Sequence, residues 1–223
     1  MNKKFGFTLA EVLITLGIIG VVAAMTIPTL IANTNSAKFR SQFKKSISTL
    51  NQAGLMAQAQ YDVDYSSVTG CTGTDDSTAA GKNTVCAIFN GTLSGHSIAT
   101  TSPYGNSDPD GVDVEGTPYY VTLADGSMVI LGSDFENCTK SVGGDTGEFI
   151  TNHQECVAYI DVNGKTLPNT LVSCDEGSSA LGDGTCSVSN DAAHMTDIYP
   201  VVFHDATVEP ASPAARTVLT TAK

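Results

Sequence analysis

The chain has 223 residues, 41% of them hydrophobic, enough for one modest core and an appended helix. Its formal charge of −12 is unevenly spread: residues 1–60 hold six of the eleven basic residues and one acid, Glu11, which leaves residues 61–223 with five basic and 22 acidic residues, a net of −17. A body that acidic is soluble and is repelled by phosphate backbones, which argues against direct nucleic-acid binding by it.

Residues 1–6 read Met-Asn-Lys-Lys-Phe-Gly and are followed by an apolar run over residues 7–32. That run exceeds the roughly 20 residues a helix needs to cross the hydrocarbon core of a bilayer. Lys3 and Lys4 ahead of it place the N-terminus in the cytoplasm, so the rest of the chain is exported. A secretory signal peptide has a shorter apolar core with a small-residue cleavage site beyond it, which Pro28 and its successors do not supply. A plain membrane anchor leaves Glu11 unexplained. An ionised carboxylate in an apolar helix costs on the order of 2.5–3.5 kcal/mol on insertion scales and calls for a partner. Pro28 removes a helical N–H and predicts a kink.

The segment Gly6-Phe7-Thr8-Leu9-Ala10-Glu11, with a short basic leader before it and an apolar run after it, resembles the processing site of type IV prepilins and type II secretion pseudopilins. The resemblance is close across residues 1–32 and looser through the rest of the helix. It implies that a membrane prepilin peptidase removes residues 1–6 by cutting after Gly6 and then methylates the new amine of Phe7. It also implies that Glu11, fifth in the mature chain, pairs with the N-terminal amine of a neighbouring subunit. An ammonium beside Glu11 in a water-excluded bundle makes a buried acid tolerable. Gly20 and Pro28 fall where many pilins carry helix-weakening residues. The implied partners are identical or related pilin subunits in a helical filament, the inner-membrane assembly machinery, and the membrane itself before assembly. The implied locations are the inner membrane for the precursor and then a cell-surface pilus, with a periplasmic pseudopilus as the alternative.

Residues 33–60 continue the helix with an amphipathic pattern: Phe39, Phe43, Ile47, Leu50 and residues 54–57 recur at three- or four-residue steps. This stripe is expected to pack on a sheet. Lys38, Arg40, Lys44 and Lys45 are placed largely off it, facing lipid headgroups or the acidic surfaces of neighbouring subunits. A continuous helix over residues 7–60 spans roughly 80 Å.

From residue 61 to 223 the composition turns rich in Gly, Ser, Thr, Asp and Asn, and helical periods are few. Strands are predicted near 119–124, 127–131, 156–162 and 198–204, with hairpin or turn signals at Asp125-Gly126 and Asn163-Gly164. Pro200 suggests an edge position or a late start for the last strand. Residues 62–118 and 165–197 read as long irregular loops. All six cysteines lie in this region, and with no CxxC pair the even count points to disulfides in an oxidising compartment rather than a zinc site. Nearest-neighbour pairing, Cys71–Cys86, Cys138–Cys156 and Cys174–Cys186, is the simplest connectivity. The expected fold class is α+β: a long N-terminal helix, half transmembrane and half amphipathic, on a small antiparallel sheet with disulfide-stapled loops.

Two acid-rich loops admit calcium as one reading: Asp108, Asp110, Asp113 and Glu115, or Asp161, Asn163 and Asn169. Neither has EF-hand spacing, and turn chemistry accounts for the same residues. No other cofactor is indicated. His96, His153, His194 and His204 are scattered, and no nucleophile–base or phosphate-binding motif is present, so no enzymatic activity is expected. The acceptor tripeptides starting at Asn90 and Asn137 are short matches for glycosylation. Three functions follow: a type IV pilus subunit serving attachment, twitching or DNA uptake, a pseudopilin, or a minor tip subunit whose loops bind a ligand.

Overall fold

A computed structural model of the chain describes residues 8–77, 83–105, 108–141, 144–182, 184–189 and 195–221. Helix α1 runs over Leu9–Tyr61, 53 residues without interruption at Gly20 or Pro28. It ends where Asp62 turns into the left-handed conformation and donates its N–H to the Gln58 carbonyl. Among the described residues nothing covers the first half of α1: Leu13, Leu16 and Met25 are 61%, 61% and 72% exposed. The second half buries Phe39, Phe43, Ile47, Leu50, Ala53 and Ala57. These positions recur every three or four residues and so fall on one side of the helix.

That side meets a six-stranded sheet of antiparallel neighbours in chain order: β1 (Ser97–Ala99), β2 (Pro118–Thr122), β3 (Met128–Gly132), β4 (Val157–Asp161), β5 (Ile198–His204) and β6 (Thr207–Pro210). The four anticipated strands are β2 to β5, and the sheet adds a short edge at each side. Gly126, at φ +87°, closes the β2–β3 hairpin, and the Leu123 N–H donates to the Ser127 carbonyl at 2.8 Å. Directly opposed residues share a face. The register Val121↔Val129, Val129↔Ile160 and Ile160↔Tyr199 therefore runs one apolar row across the sheet to Tyr199. Tyr199 stacks on Phe43 of α1 at 4.3 Å, which identifies this row as the helix-facing one. At the far end Tyr65 sits edge-on to Phe203 at 4.9 Å and its hydroxyl donates to the Leu50 carbonyl at 2.6 Å.

Strand β5 is interior, between β4 and β6, not the edge that Pro200 suggested. The Pro200 carbonyl accepts from the Ala211 N–H, so its nitrogen faces the same side, at the end of the β6 ladder. No bond to β4 is lost, and the proline is tolerated.

The stretch 62–118 is less irregular than its composition suggests. It contains α2 (Val85–Thr92), capped by the Thr84 side chain, as well as β1. Two more short helices were not anticipated: α3 (Thr146–Asn152), capped by Asp145, and α4 (Pro213–Thr220), capped by Ser212. The second face of the sheet carries Tyr120, Ile130, Tyr159 and Val202. Tyr104 and residues 108–116 cover it at one end, where Tyr104 meets Tyr120, and α3 covers it at the other, where Phe149 meets His204. Gly132 makes this cover possible, because a Cβ there would run into the Glu115 carbonyl.

Candidate functional site

The exposed half of α1 is the first place to look, because a helix this apolar with no partner among the described residues needs one elsewhere. Its 18-residue window of highest hydropathy is wholly unburied and long enough to cross a membrane. Glu11 interrupts it near the start. Thr8 precedes the helix in extended conformation, and its hydroxyl accepts the Glu11 N–H at 3.3 Å. The Glu11 carboxylate accepts in return from the Thr8 N–H and hydroxyl, both at 2.8 Å. This is a reciprocal capping box, and it orients the carboxylate toward the N-terminal end of the helix. Thr8 was not singled out by sequence reading, although Thr-x-x-Glu ahead of an apolar run is the signature of such a box. Gly6, Phe7 and the leader lie outside the described residues. Gly20 has no neighbour on which a side chain would close, and Pro28 is exposed.

Of the four cations beyond the apolar half, Arg40 is not off the stripe but buried, and it donates to the Thr221 carbonyl at the end of α4 at 3.3 Å. Lys45 pairs with Asp125 of the β2–β3 hairpin at 2.8 Å. Lys38 and Lys44 stay exposed.

Disulfides join Cys71–Cys86, Cys138–Cys156 and Cys174–Cys186. The first ties the chain after α1 to α2, the second ties the segment after β3 to the foot of β4, and the third joins two points of the segment between β4 and β5. His153, Glu155 and Cys156 are the one trio of potential metal ligands within 4.8 Å of one another among the described residues. Cys156 is oxidised to a disulfide, so it offers no thiolate.

The calcium candidates do not gather around one point. Asp108 accepts from the Tyr120 hydroxyl at 2.7 Å and from Ser102 at 2.8 Å. Asp110, Asp113 and Glu115 are exposed, while Val112 and Val114 between them pack on the core. Asp161 is fully buried and accepts from the Tyr104 hydroxyl at 2.6 Å and the Asn163 N–H at 3.1 Å. The Asn169 N–H donates to a different buried carboxylate, Asp197, at 2.9 Å. Burial pushes Asp161 up to about 7 against the opposing Tyr104 hydrogen bond, and burial likewise raises Asp197. Tyr104, Tyr120 and Asp197 thus form an acid–tyrosine network that sequence reading missed. Its members are 57 or more residues from one another in part, and no local spacing reveals them.

A second polar cluster lies at the other end of the sheet. Buried His204 contacts Asp205 at 3.0 Å and Glu209 at 3.5 Å, and Glu209 also takes Lys140 at 3.1 Å. Burial alone would depress His204, but the bonds to Glu209 and Asp205 outweigh it and raise it above the usual histidine value. The bond from His204, with Lys140 adding to it, holds Glu209 at about 2. His96 bonds Asn90, whose amide is itself tied to the Thr74 and Asp76 carbonyls, and His194 lies outside the described residues. These clusters hold loops together, and none aligns a nucleophile with a base.

The family model of the prokaryotic N-terminal methylation motif matches residues 1–27. That motif is the signature of prepilins and pseudopilins, and it indicates the type IV pilin or pseudopilin family. No curated protein and no solved structure matches the chain.

Proposed function

We propose that this chain, which bears the methylation motif of the type IV pilin or pseudopilin family, is a structural subunit of a type IV pilus. The observation that carries the reading is the union of that motif with a helix half that is apolar apart from Glu11 and uncovered by the described residues. In the precursor the bilayer solvates Leu9–Ile31. In the filament the same surfaces of neighbouring copies take over that role. Peptidase cleavage after Gly6 supplies an ammonium at Phe7, one residue from the Thr8–Glu11 box. It also removes Lys3 and Lys4, so the mature chain changes from −12 to −14 by side-chain count. A neighbour's ammonium then neutralises the carboxylate that Thr8 alone holds in the monomer. The family is structural rather than enzymatic, and the head supports this role as a disulfide-closed body suited to an oxidising exterior.

Shearing of cells followed by mass spectrometry of the released fibres tests the pilus reading. A dominant species of this chain in the sheared fraction is expected. Retention in the envelope with no fibre would reassign the chain to a periplasmic pseudopilus. Glu11→Ala is expected to leave the protein membrane-bound while fibre yield falls, and a normal yield would remove Glu11 from assembly.

A further inference from the structure

A helix that crosses a bilayer fixes by its rise which part of the head meets the membrane surface. With Leu9–Ile31 across the bilayer, Asn35 stands about 6 Å and Lys38 about 10 Å beyond Ile31 along the axis. The headgroup layer of one leaflet is about 5–8 Å deep, so whatever packs beside Asn35 to Lys38 borders on it.

The head brings one turn to that level. Strand β5 runs in the same direction as α1, since Tyr199 lies on Phe43, whereas Phe203 meets Tyr65, whose hydroxyl reaches Leu50. Antiparallel β4 runs back toward the bare half of α1, and the turn after Asp161 emerges on that side. In this turn Asn163, Thr166 and Leu167 share a cleft with Asn35, Lys38 and Gln42 of α1. The turn is braced from within and from beside. The Asn163 N–H donates to the Asp161 carboxylate at 3.1 Å, and its side-chain amide donates to the Leu167 carbonyl at 3.3 Å. At Gly164, φ +62°, a Cβ would lie 2.8 Å from the Gly126 carbonyl of the β2–β3 hairpin.

The tip of the turn is apolar and its flanks are cationic. Leu167 is 79% exposed, nearly as bare as Leu9 in the spanning half at 81%. Beyond α1 the only other exposed large apolar side chain among the described residues is Leu181, at 37%. Lys38 and Lys165 are exposed and make no ion pair among the described residues. Of the acids at these strand ends, Asp125 is paired with Lys45, and Asp161 and Asp197 are buried. In a region of net −17, this corner presents lysines.

We propose that the turn at residues 163–167 is a second membrane contact of the precursor, in which Leu167 dips into the headgroup layer and Lys38 and Lys165 meet the phosphates of anionic lipids. Leucine gains by leaving water, and each lysine keeps its amine at phosphate level while its stem lies along apolar surface. The contact is continuous with the spanning helix and selects the side of the head that rests on the bilayer. It rests on the reading that Leu9–Ile31 spans the membrane in the precursor. Withdrawal of the chain into a filament breaks it.

The chain has no tryptophan, so a single introduced one reports on its own surroundings. The full precursor carrying Leu167→Trp is reconstituted in vesicles of phosphatidylethanolamine and phosphatidylglycerol brominated high on the acyl chains. Leu55→Trp is the control, at an exposed site about 30 Å farther along α1 than Asn35. Bromine is expected to quench the indole at 167 several-fold more strongly than the indole at 55. Lys38→Glu with Lys165→Glu, or high salt, is expected to weaken that quenching, with the head's melting temperature unchanged. Equal quenching at both positions, or quenching that ignores the two lysines, overturns the docking if the chain still resists carbonate extraction. An indole at 167 that stays in water in vesicles and is shielded only in polymer assigns the tip to a contact between copies and also overturns it. A chain that carbonate strips from the vesicles overturns the spanning reading and the docking together.

Discussion

The two halves of α1 have the same secondary structure and opposite surroundings. Phe39 to Ala57 is covered by the sheet, α2, β6 and α4, whereas Leu9 to Ile31 is left uncovered by the described residues. The covered half presents one apolar stripe with cations around it, and the bare half is apolar all round. The first pattern is completed by folding, and the second only by lipid or by other molecules. Burial thus separates what the chain builds alone from what it must build with copies.

The largest expected break in that comparison is Phe43→Ala. It removes the ring stacked on Tyr199 from a fully buried site and is expected to destabilise the head by about 3–5 kcal/mol in denaturant melts. Leu16→Ala, in the bare half, is expected to shift the same melt by less than about 0.5 kcal/mol and to act on polymer yield instead. Replacing Cys138 and Cys156 together by serine is expected to cost about 2–5 kcal/mol, again with the melt as readout. The glycines give a smaller contrast. A Cβ at Gly54 would lie 2.7 Å from the Tyr65 ring and 2.8 Å from the Ala206 carbonyl, so Gly54→Ala is expected to destabilise by about 1–3 kcal/mol. At Gly20 a Cβ meets nothing, and Gly20→Ala is expected to strengthen the isolated helix by about 0.5–1 kcal/mol.

The pH dependence of the head is expected to be smaller still. His204 is raised in the folded state, so its contribution is complete below its unfolded value of 6.5 and is lost as pH rises through the folded one. Glu209 is lowered to about 2, so its contribution is complete above 4.5 and is lost as pH falls toward 2. Asp161, raised from 3.8 to about 7, acts inside that span: folding favours its neutral form, so its contribution falls as pH rises from 3.8 to about 7. Thermal melts should therefore be most favourable near 4.5 and decline from there toward neutral pH. Glu209→Gln should flatten the acid limb, and Asp161→Asn the decline between 4.5 and 7. Removing divalent cations with EDTA is expected to leave the melt unchanged, since Asp108 and Asp161 already accept hydrogen bonds from Tyr120 and Tyr104.

Elements with a period or a turn signal were legible in the sequence. The apolar run and the Phe39-to-Ala57 stripe marked α1, and Asp125-Gly126 marked the β2–β3 hairpin. What escaped was short or defined by distant parts of the chain. Helix α2 is buried on Val85 to Phe89 without a gap, so it shows no amphipathic period, and β1 has only three residues. Two missed helices did carry readable starts: Asp145 three residues before Glu148, and Ser212 followed by Pro213. The acid–tyrosine network joins Tyr104, in a loop, to Asp161 of β4 across 57 residues, a pairing that no local spacing reveals. Pro200 misled because a missing N–H forbids one side of a strand and leaves the other open.

The central claim is that the bare half of α1 becomes an assembly surface once the chain is cut after Gly6. Intact-mass and N-terminal sequencing of this chain in assembled material tests it most directly. The account predicts a mature chain that begins with N-methylated Phe7. Assembled material in which the chain still begins at Met1, with Lys3 and Lys4 in place, would contradict it.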